Sequence, residues 1–311
     1  MKTMSAEEPT GTSSFLSAID PGHPASQQPA TSPVHPFARP MGFLGNRFVY
    51  AVISQRAHGL SIGINMNPDR HCNFDCVYCE IDRTLPAREP KVDLDVLATE
   101  LETLLTLTFQ RRLRELPYFE TVPEELLSLK GVALSGEGEP TISPQFVEIV
   151  REVIHIRSRG RFPFFKLVLI TNTAGLDLPE VRRGLQLLTS RDEIWAKLDA
   201  GTQGFMNAVN RSDVPLEKVV ANILRIGKER PIVIQSLFPM LNGQEPPAEE
   251  IEEYVKRLQY LKQSGARISL VQVYSAHRPS HHPECGHLPL KTLSRIAHRV
   301  REVAGLPAEV F

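Results

Sequence analysis

Three cysteines within eight residues are the part of this sequence best suited to chemistry. Cys72, Cys76 and Cys79 are spaced C-x3-C-x2-C in the segment His71-Cys72-Asn73-Phe74-Asp75-Cys76-Val77-Tyr78-Cys79. Three thiolates on one short loop can hold three irons of a four-iron cluster. The fourth iron is then free of protein thiolate and open to a substrate or cosubstrate, as in an open catalytic metal site. A zinc ion is the competing reading. Structural zinc takes four ligands, often as two C-x2-C pairs, and no second pair occurs, although Cys285 or His71 could complete a set. A disulfide framework does not fit, because the chain has four cysteines and three of them are crowded together. That pattern points to a reducing compartment and a cofactor.

Other candidate residues lie at the ends of apolar runs. Gly131-Val132-Ala133-Leu134-Ser135 reads as a strand and runs into Gly136-Glu137-Gly138-Glu139-Pro140-Thr141. Glycine lets a backbone approach a ligand closely, and an acceptor such as Glu139 at a strand end can hold an ammonium group. Thr171-Asn172-Thr173-Ala174-Gly175 follows the next strand; Asn172 could meet a ligand or simply make a turn. In Trp195-Ala196-Lys197-Leu198-Asp199, alternation puts Lys197 and Asp199 on one face. Buried there, they need partners: each other, or a ligand with a carboxylate and hydroxyls. Gln235 and Ser236, then Gln272 and Tyr274, end the last two strands. Tyr78 lies beside the last clustered cysteine, as a packing aromatic or a ligand contact.

These residues require a scaffold, and the hydrophobic pattern supplies one. Apolar runs at 47–53, 61–66, 131–135, 166–171, 193–199, 231–237 and 268–274 alternate with helical patterns at 93–109, 145–158, 179–190, 215–229, 247–264 and 289–305. Runs such as Val168-Leu169-Ile170 suit strands buried on both faces. Alternating strand and helix imply βαβ units and a parallel sheet, open or curled. Six such strands from residue 61 onward are too few for a complete eight-stranded barrel. The cysteine loop directly follows the 61–66 strand, at the end where α/β sheets build their sites.

Composition narrows the classes. The chain has 311 residues, 41% hydrophobic and 23% charged, with 35 basic against 36 acidic side chains for a net −1. That balance excludes nucleic-acid binding by bulk charge alone. No apolar run of about 18 residues is present, so no membrane helix is expected, and the N-terminus lacks a signal-peptide pattern. A cytoplasmic protein is expected. Residues 1–36 are rich in Ser, Pro, Thr, Ala and Gln and read as a disordered tail. The cluster Gln110-Arg111-Arg112-Leu113-Arg114 reads as a solvated face or an anion site. His277 to His287 holds four His and Cys285; it could bind a second metal, lie as a solvated loop, or cover the substrate opening.

C-x3-C-x2-C after a first strand, with an aromatic before the last cysteine, resembles the radical S-adenosylmethionine (SAM) superfamily. Gly138-Glu139-Pro140 resembles its Gly-Gly-Glu-Pro turn, with Glu137 in place of the first glycine, and Thr171-Asn172-Thr173 resembles its Thr-Asn-Gly segment. Ser54 to Asn65 and Cys72 to Glu80 further resemble the proteins related to tRNA wyosine synthesis enzymes, over about residues 50–275.

The resemblance implies a partial (β/α)6 barrel over 37–275, followed by a C-terminal loop and helix at 276–311. It implies a 4Fe-4S cluster on Cys72, Cys76 and Cys79, and a SAM pocket drawn from Tyr78, Gly138, Glu139, Asn172, Lys197, Asp199 and Ser236. In that chemistry an external reductant of flavodoxin or ferredoxin type reduces the cluster. SAM is then cleaved to a 5′-deoxyadenosyl radical that abstracts hydrogen from the substrate. No Cys precedes Cys72, so the wyosine enzymes' second cluster has no counterpart, and their pyruvate-engaging lysine is not identified here. The substrate is left unassigned, with RNA among the candidates. A non-catalytic iron–sulfur or zinc module and a tRNA-modifying radical SAM enzyme are the alternative readings.

Overall fold

The computed structural model describes residues 43–278 and 280–311. The Ser/Pro-rich segment 1–36 lies outside them. In chain order the regular elements are β1 (Val49–Ser54), β2 (Gly59–Asn65), α1 (Leu94–Phe109), β3 (Leu129–Ser135), α2 (Phe146–Ser158), β4 (Leu167–Thr171), α3 (Pro179–Leu185), β5 (Glu193–Lys197), α4 (Gln203–Val209), α5 (Leu216–Glu229), β6 (Ile232–Leu237), β7 (Met240–Leu241), α6 (Ala248–Gln263), β8 (Ile268–Tyr274), β9 (Cys285–Gly286), α7 (Leu290–Arg299) and β10 (Ala308–Val310).

Local chemistry explains several boundaries. Asp93 caps α1 by accepting from the N–H groups of Asp95 and Val96 at 3.1 and 3.2 Å. The α1 leucines at 97, 101, 104 and 105 then form the buried stripe that their spacing requires. Past α7 the chain makes one π-helical turn, Val300–Ala304, and Gly305 ends it at φ 61°, a left-handed conformation that glycine adopts without strain.

The main sheet has eight strands in the order β1-β2-β3-β4-β5-β6-β8-β10. β1 pairs with β2 antiparallel; every other pairing in this sheet is parallel. Each crossover moves one strand further in the same direction, so right-handed connections put all the helices on one face. The side chains agree. Leu167, Leu169, Ile194 and Ile234 point to the helices and are fully buried in the main core. Val168, Trp195 and Val233 point the other way and form a separate cluster with Ala57, Ile170 and Leu270, which contains no helical residue. The inner-face members are less sealed: Ile170 and Leu270 are only partly buried.

The sheet curls until its two ends meet through side chains. His58, in the turn between β1 and β2, reaches Glu309 of β10 at 3.6 Å, and the Arg56 carbonyl accepts from Gln272 of β8 at 3.3 Å. Among the described residues β1 and β10 do not hydrogen-bond to each other, so the wall stays open along one seam.

The six expected parallel strands are present, and a seventh, β10, was not anticipated. Its three residues after Pro307 are too few to show a period. Helix α4 was also not anticipated, since its seven residues, Gln203–Val209, carry only two buried side chains, Met206 and Val209. Two arginines of the basic cluster at 110–114 are paired at the surface: Arg112 with Glu115 at 2.8 Å and Arg114 with Glu124 at 3.6 Å.

One buried ion pair ties α2 to the base of the sheet. Asp192 accepts from Arg157 Nη1 at 2.6 Å, from the Leu167 N–H at 2.8 Å and from the Thr189 N–H at 2.7 Å. Burial alone would raise this carboxyl, but Arg157 and the two N–H groups hold it below the ordinary carboxylate range. A carboxyl lower in the folded than in the unfolded chain adds stability above its unfolded value and loses it as pH falls through the folded one. Asp192→Asn should therefore lower unfolding stability by about 3–5 kcal/mol at neutral pH. The gap from wild type should shrink below about pH 4, as read by urea melts at both pH values.

Candidate cofactor site

The cysteine loop leaves β2 at its carboxyl end and is pinned from three sides. The N–H groups of Asp75 and Val77 donate to the Asn210 and Val209 carbonyls at 3.0 and 2.9 Å, joining the loop to the end of α4. Phe74 and Val77 are buried beneath it. At its base, Arg70 Nε donates to Glu137 at 3.0 Å and Arg70 Nη1 to the Asp82 and Leu85 carbonyls at 3.2 Å. Asn65 Nδ2 donates to the same Glu137 carboxylate at 2.7 Å. Through Arg70, Glu137 thus fastens both ends of the loop to the turn after β3.

The three thiols are half-buried. Burial pushes Cys72 up to about 11, and burial with the nearby Asp199 carboxylate pushes Cys76 up to about 12. As free thiols Cys72 and Cys76 are therefore protonated at neutral pH, and a metal must displace those protons to bind. Arg83 Nη2 lies 3.5 Å from Cys79 Sγ. Burial would lower the Arg83 guanidinium, but Cys79, Cys72 and Cys76 raise it, which places the cation within electrostatic reach of all three sulfurs. This donor set suits a cluster held by three thiolates, with a cation beside it to offset negative charge. Among the described residues no three His, Cys, Asp or Glu side chains gather around a point for a single ion, as a zinc tetrahedron would need.

A polar network joins this loop to the strand ends. Tyr78 donates its hydroxyl to Asp199 Oδ2, and Asn210 Nδ2 donates to the same oxygen at 2.9 Å. Asn210 Nδ2 also lies 3.1 Å from the Tyr78 hydroxyl and 3.4 Å from Cys76 Sγ. Asp199 Oδ1 accepts from the Leu237 N–H at 2.9 Å and faces Lys197 Nζ at 3.4 Å. Lys197 Nζ reaches the Tyr274 hydroxyl at 3.1 Å and sits 4.9 Å from the Tyr78 ring centre. Burial alone would lower the Lys197 ammonium, but Asp199 and Tyr274 hold it above its ordinary value, so it stays charged. Burial and the Asp199 charge likewise keep Tyr78 protonated.

Asn172 belongs to the same site. Its Nδ2 donates to Asn73 Oδ1 in the cysteine loop at 2.7 Å, and its N–H donates to Glu139 at 2.6 Å. Glu139 also accepts from the Thr141 N–H and from the hydroxyls of Thr141 and Thr171. Its carboxylate is thus bonded to protein groups and fixes the turn between β3 and β4. Phe74, Asn172, Lys197, Asp199 and Asn210 line one small cavity.

Ser236 does not join them. Alternation along β6 turns it to the helix side, where it donates to the Leu198 carbonyl at 2.7 Å and lies 2.6 Å from the Tyr254 hydroxyl of α6. Gln235, one residue earlier, is the β6 side chain that faces inward and bonds Gln272 at 2.9 Å. Asn210 and Arg83 were not found from the sequence. Nothing local marks Asn210, and Arg83 is one of several charges, with Glu80 and Asp82, just past the last clustered cysteine.

The His-rich segment lies against the cysteine loop. Arg278 pairs with Glu80 at 2.6 Å, and His281 and His282 approach Asp82 and Asp75 at 3.9 and 4.0 Å. Cys285 sits in β9, paired with β7.

No family model matches the chain. Among solved structures, TYW1 with a lysine–pyruvate adduct bound matches over 79% of this chain and 74% of its own, with a TM-score of 0.50 and 17% identity. The two share a fold. That agrees with the resemblance to the tRNA wyosine enzymes of the radical SAM superfamily. UPF0026 proteins are similar in sequence. The Helicobacter pylori strain J99 protein is 28% identical over 180 residues, 57% of this chain and 49% of the relative. The Methanocaldococcus jannaschii protein is 23% identical over 184 residues, 56% and 48% of the two chains. The Synechocystis protein is 26% identical over 185 residues, 58% and 60% of the two. The chain spans about half the length of the first two relatives. No helix among the described residues is long and apolar enough to cross a membrane.

Gly138 offers a direct test of the loop's packing. A Cβ there would lie 2.0 Å from the His71 carbonyl oxygen, and the neighbouring Glu139 N–H donates to that same oxygen at 3.1 Å. Gly138→Ala must push the cysteine loop away from the β3 turn. It should lower stability by about 1–3 kcal/mol and raise thiol labelling at Cys72 relative to wild type.

Proposed function

We propose that this chain is a radical SAM enzyme. Its radical SAM unit spans 37–275 and takes its last strand, β10, from the C-terminal region 276–311. The observation that carries this reading is the junction at Asn210, where one side chain touches Cys76 Sγ, Tyr78 and Asp199. The cysteine loop and the polar strand ends are thereby one site.

Cys72, Cys76 and Cys79, deprotonated, would hold a 4Fe-4S cluster, with Arg83 beside it. Bound there, the cluster and SAM would supply a carbon-centred radical able to abstract hydrogen, fed by an external flavodoxin- or ferredoxin-type reductant. The chain's own residues bind and orient. Lys197, charged and buried, suits the SAM carboxylate. Asp199 suits the ribose hydroxyls, which would compete with Tyr78 for its oxygen. The Gly138–Glu139 turn and Asn172 would border the methionine end, and the Tyr78 ring the adenine. The apolar floor around Trp195 keeps water from a reactive carbon centre.

Protein made anaerobically should contain about four irons per chain and, given SAM and dithionite, should release 5′-deoxyadenosine. Cys76→Ala should lose both. If that variant keeps iron and cleavage, or if wild-type protein made with iron holds tight zinc and never cleaves SAM, the reading fails. Asp199→Asn should keep its iron but bind SAM about 10–100-fold more weakly, the worth of a hydrogen bond to a charged group, by equilibrium dialysis.

A further inference from the structure

One cation on the inner side of the sheet, Arg56, has no carboxylate partner among the described residues. Lys166 is matched there by Glu193 and Lys197 by Asp199. Arg56 has no such match. It sits in the turn between β1 and β2, which the curl of the sheet brings across to β8. Its carbonyl is held by Gln272, and Ala57 beside it packs into the Val168–Trp195–Val233 cluster. The guanidinium carbon lies 4.3 Å from the centre of the Tyr274 ring, the same ring whose hydroxyl bonds Lys197. Among the described residues no carboxylate lies within 4.0 Å of this guanidinium, and its Nε is sealed from solvent with no hydrogen-bond partner.

A buried donor left unmade costs free energy, and a guanidinium resting over an aromatic ring keeps its fork of N–H donors for a partner. That arrangement recognises a planar or tetrahedral oxyanion with two parallel bonds. We infer that Arg56 is the binding residue for an anionic group, carboxylate or phosphate, on the molecule that occupies the inner face, with Tyr274 as its rigid backing. The inference rests on the proposed function only in calling that molecule the substrate. The anion site itself stands on Arg56, Tyr274 and the unmatched charge. It implies that the substrate is acidic and that its anionic end lies below the Lys197–Asp199 pair, toward the β1–β2 turn.

Trp195 is the chain's single tryptophan and lies on this same face, so its fluorescence reports occupancy. Full-length protein would be titrated with sodium acetate and with sodium phosphate. Acetamide serves as the neutral isostere of acetate, and sodium chloride as the ionic-strength control. Acetate, phosphate or both should give a saturable change that acetamide and chloride do not. Which of the two saturates identifies the class of oxyanion. Arg56→Gln should weaken that binding at least about tenfold, and Arg56→Lys should recover part of it. Thermal midpoints check that both variants fold; should Arg56→Gln fail to, the Lys variant alone must still bind more weakly than wild type.

The inference is overturned if neither anion saturates, or if both folded variants bind as wild type does. It is also overturned if the same variants weaken SAM by the same factor in the reconstituted protein, since the anion would then be SAM's own carboxylate. Loss of SAM cleavage with anion binding intact would instead remove the proposed function and leave the anion site standing.

Discussion

A single buried carboxylate holds the site together. Asp199 lies just past β5 and is almost fully withdrawn from water, where an ionised group is tolerated only if it is paired and hydrogen-bonded. It meets that demand by drawing on four segments: the Tyr78 hydroxyl from the cysteine loop, the Asn210 amide from the end of α4, the Leu237 N–H from the end of β6, and the Lys197 ammonium from its own strand. The loop and the strand ends therefore cannot move independently. Because Asn210 also touches Cys76, the position of that thiol follows from the same constraint.

The second constraint is the difference between the two faces of the sheet. Strands added in one direction leave every helix on one side, and the helix-facing side chains are sealed. Among the described residues, the opposite face has no helix packed on its apolar cluster. It carries an apolar floor of Val168, Trp195 and Val233, then a polar belt of Lys197, Gln235, Gln272 and Tyr274. Curling lets the first hairpin close over the last strands, which places Arg56 inside. Enclosure and polarity come from the same geometry, at the carboxyl ends of the strands where loops are free to vary.

A net charge of −1 conceals this local order. Arg83 stands among three thiols, Arg70 is locked to Glu137, and the bases of the 278–282 segment face the acids of the cysteine loop. The Arg70–Glu137 and Arg278–Glu80 pairs join segments distant in sequence, so they contribute to position as much as to stability. Such pairs are worth little when exposed and a good deal when buried, as at Arg157–Asp192.

Much of this was legible without coordinates. The alternation of apolar runs and amphipathic stretches announced the parallel sheet because each pattern has its own period. C-x3-C-x2-C announced the cysteine loop because chelation requires short spacing. Strand alternation put Lys197 and Asp199 on one face, and they meet there at 3.4 Å. Ser236 shows the limit of such reasoning: it ends a strand as Lys197 does, but one step of the pleat turns it to α6. The three-residue β10 and the short α4 were too brief to show any period. Asn210, the partner of Cys76, and Arg56, which reaches Tyr274 across the curl, had no local mark at all. Their roles depend on residues 134 and 218 positions away in the chain, a proximity that only the curvature of the sheet creates.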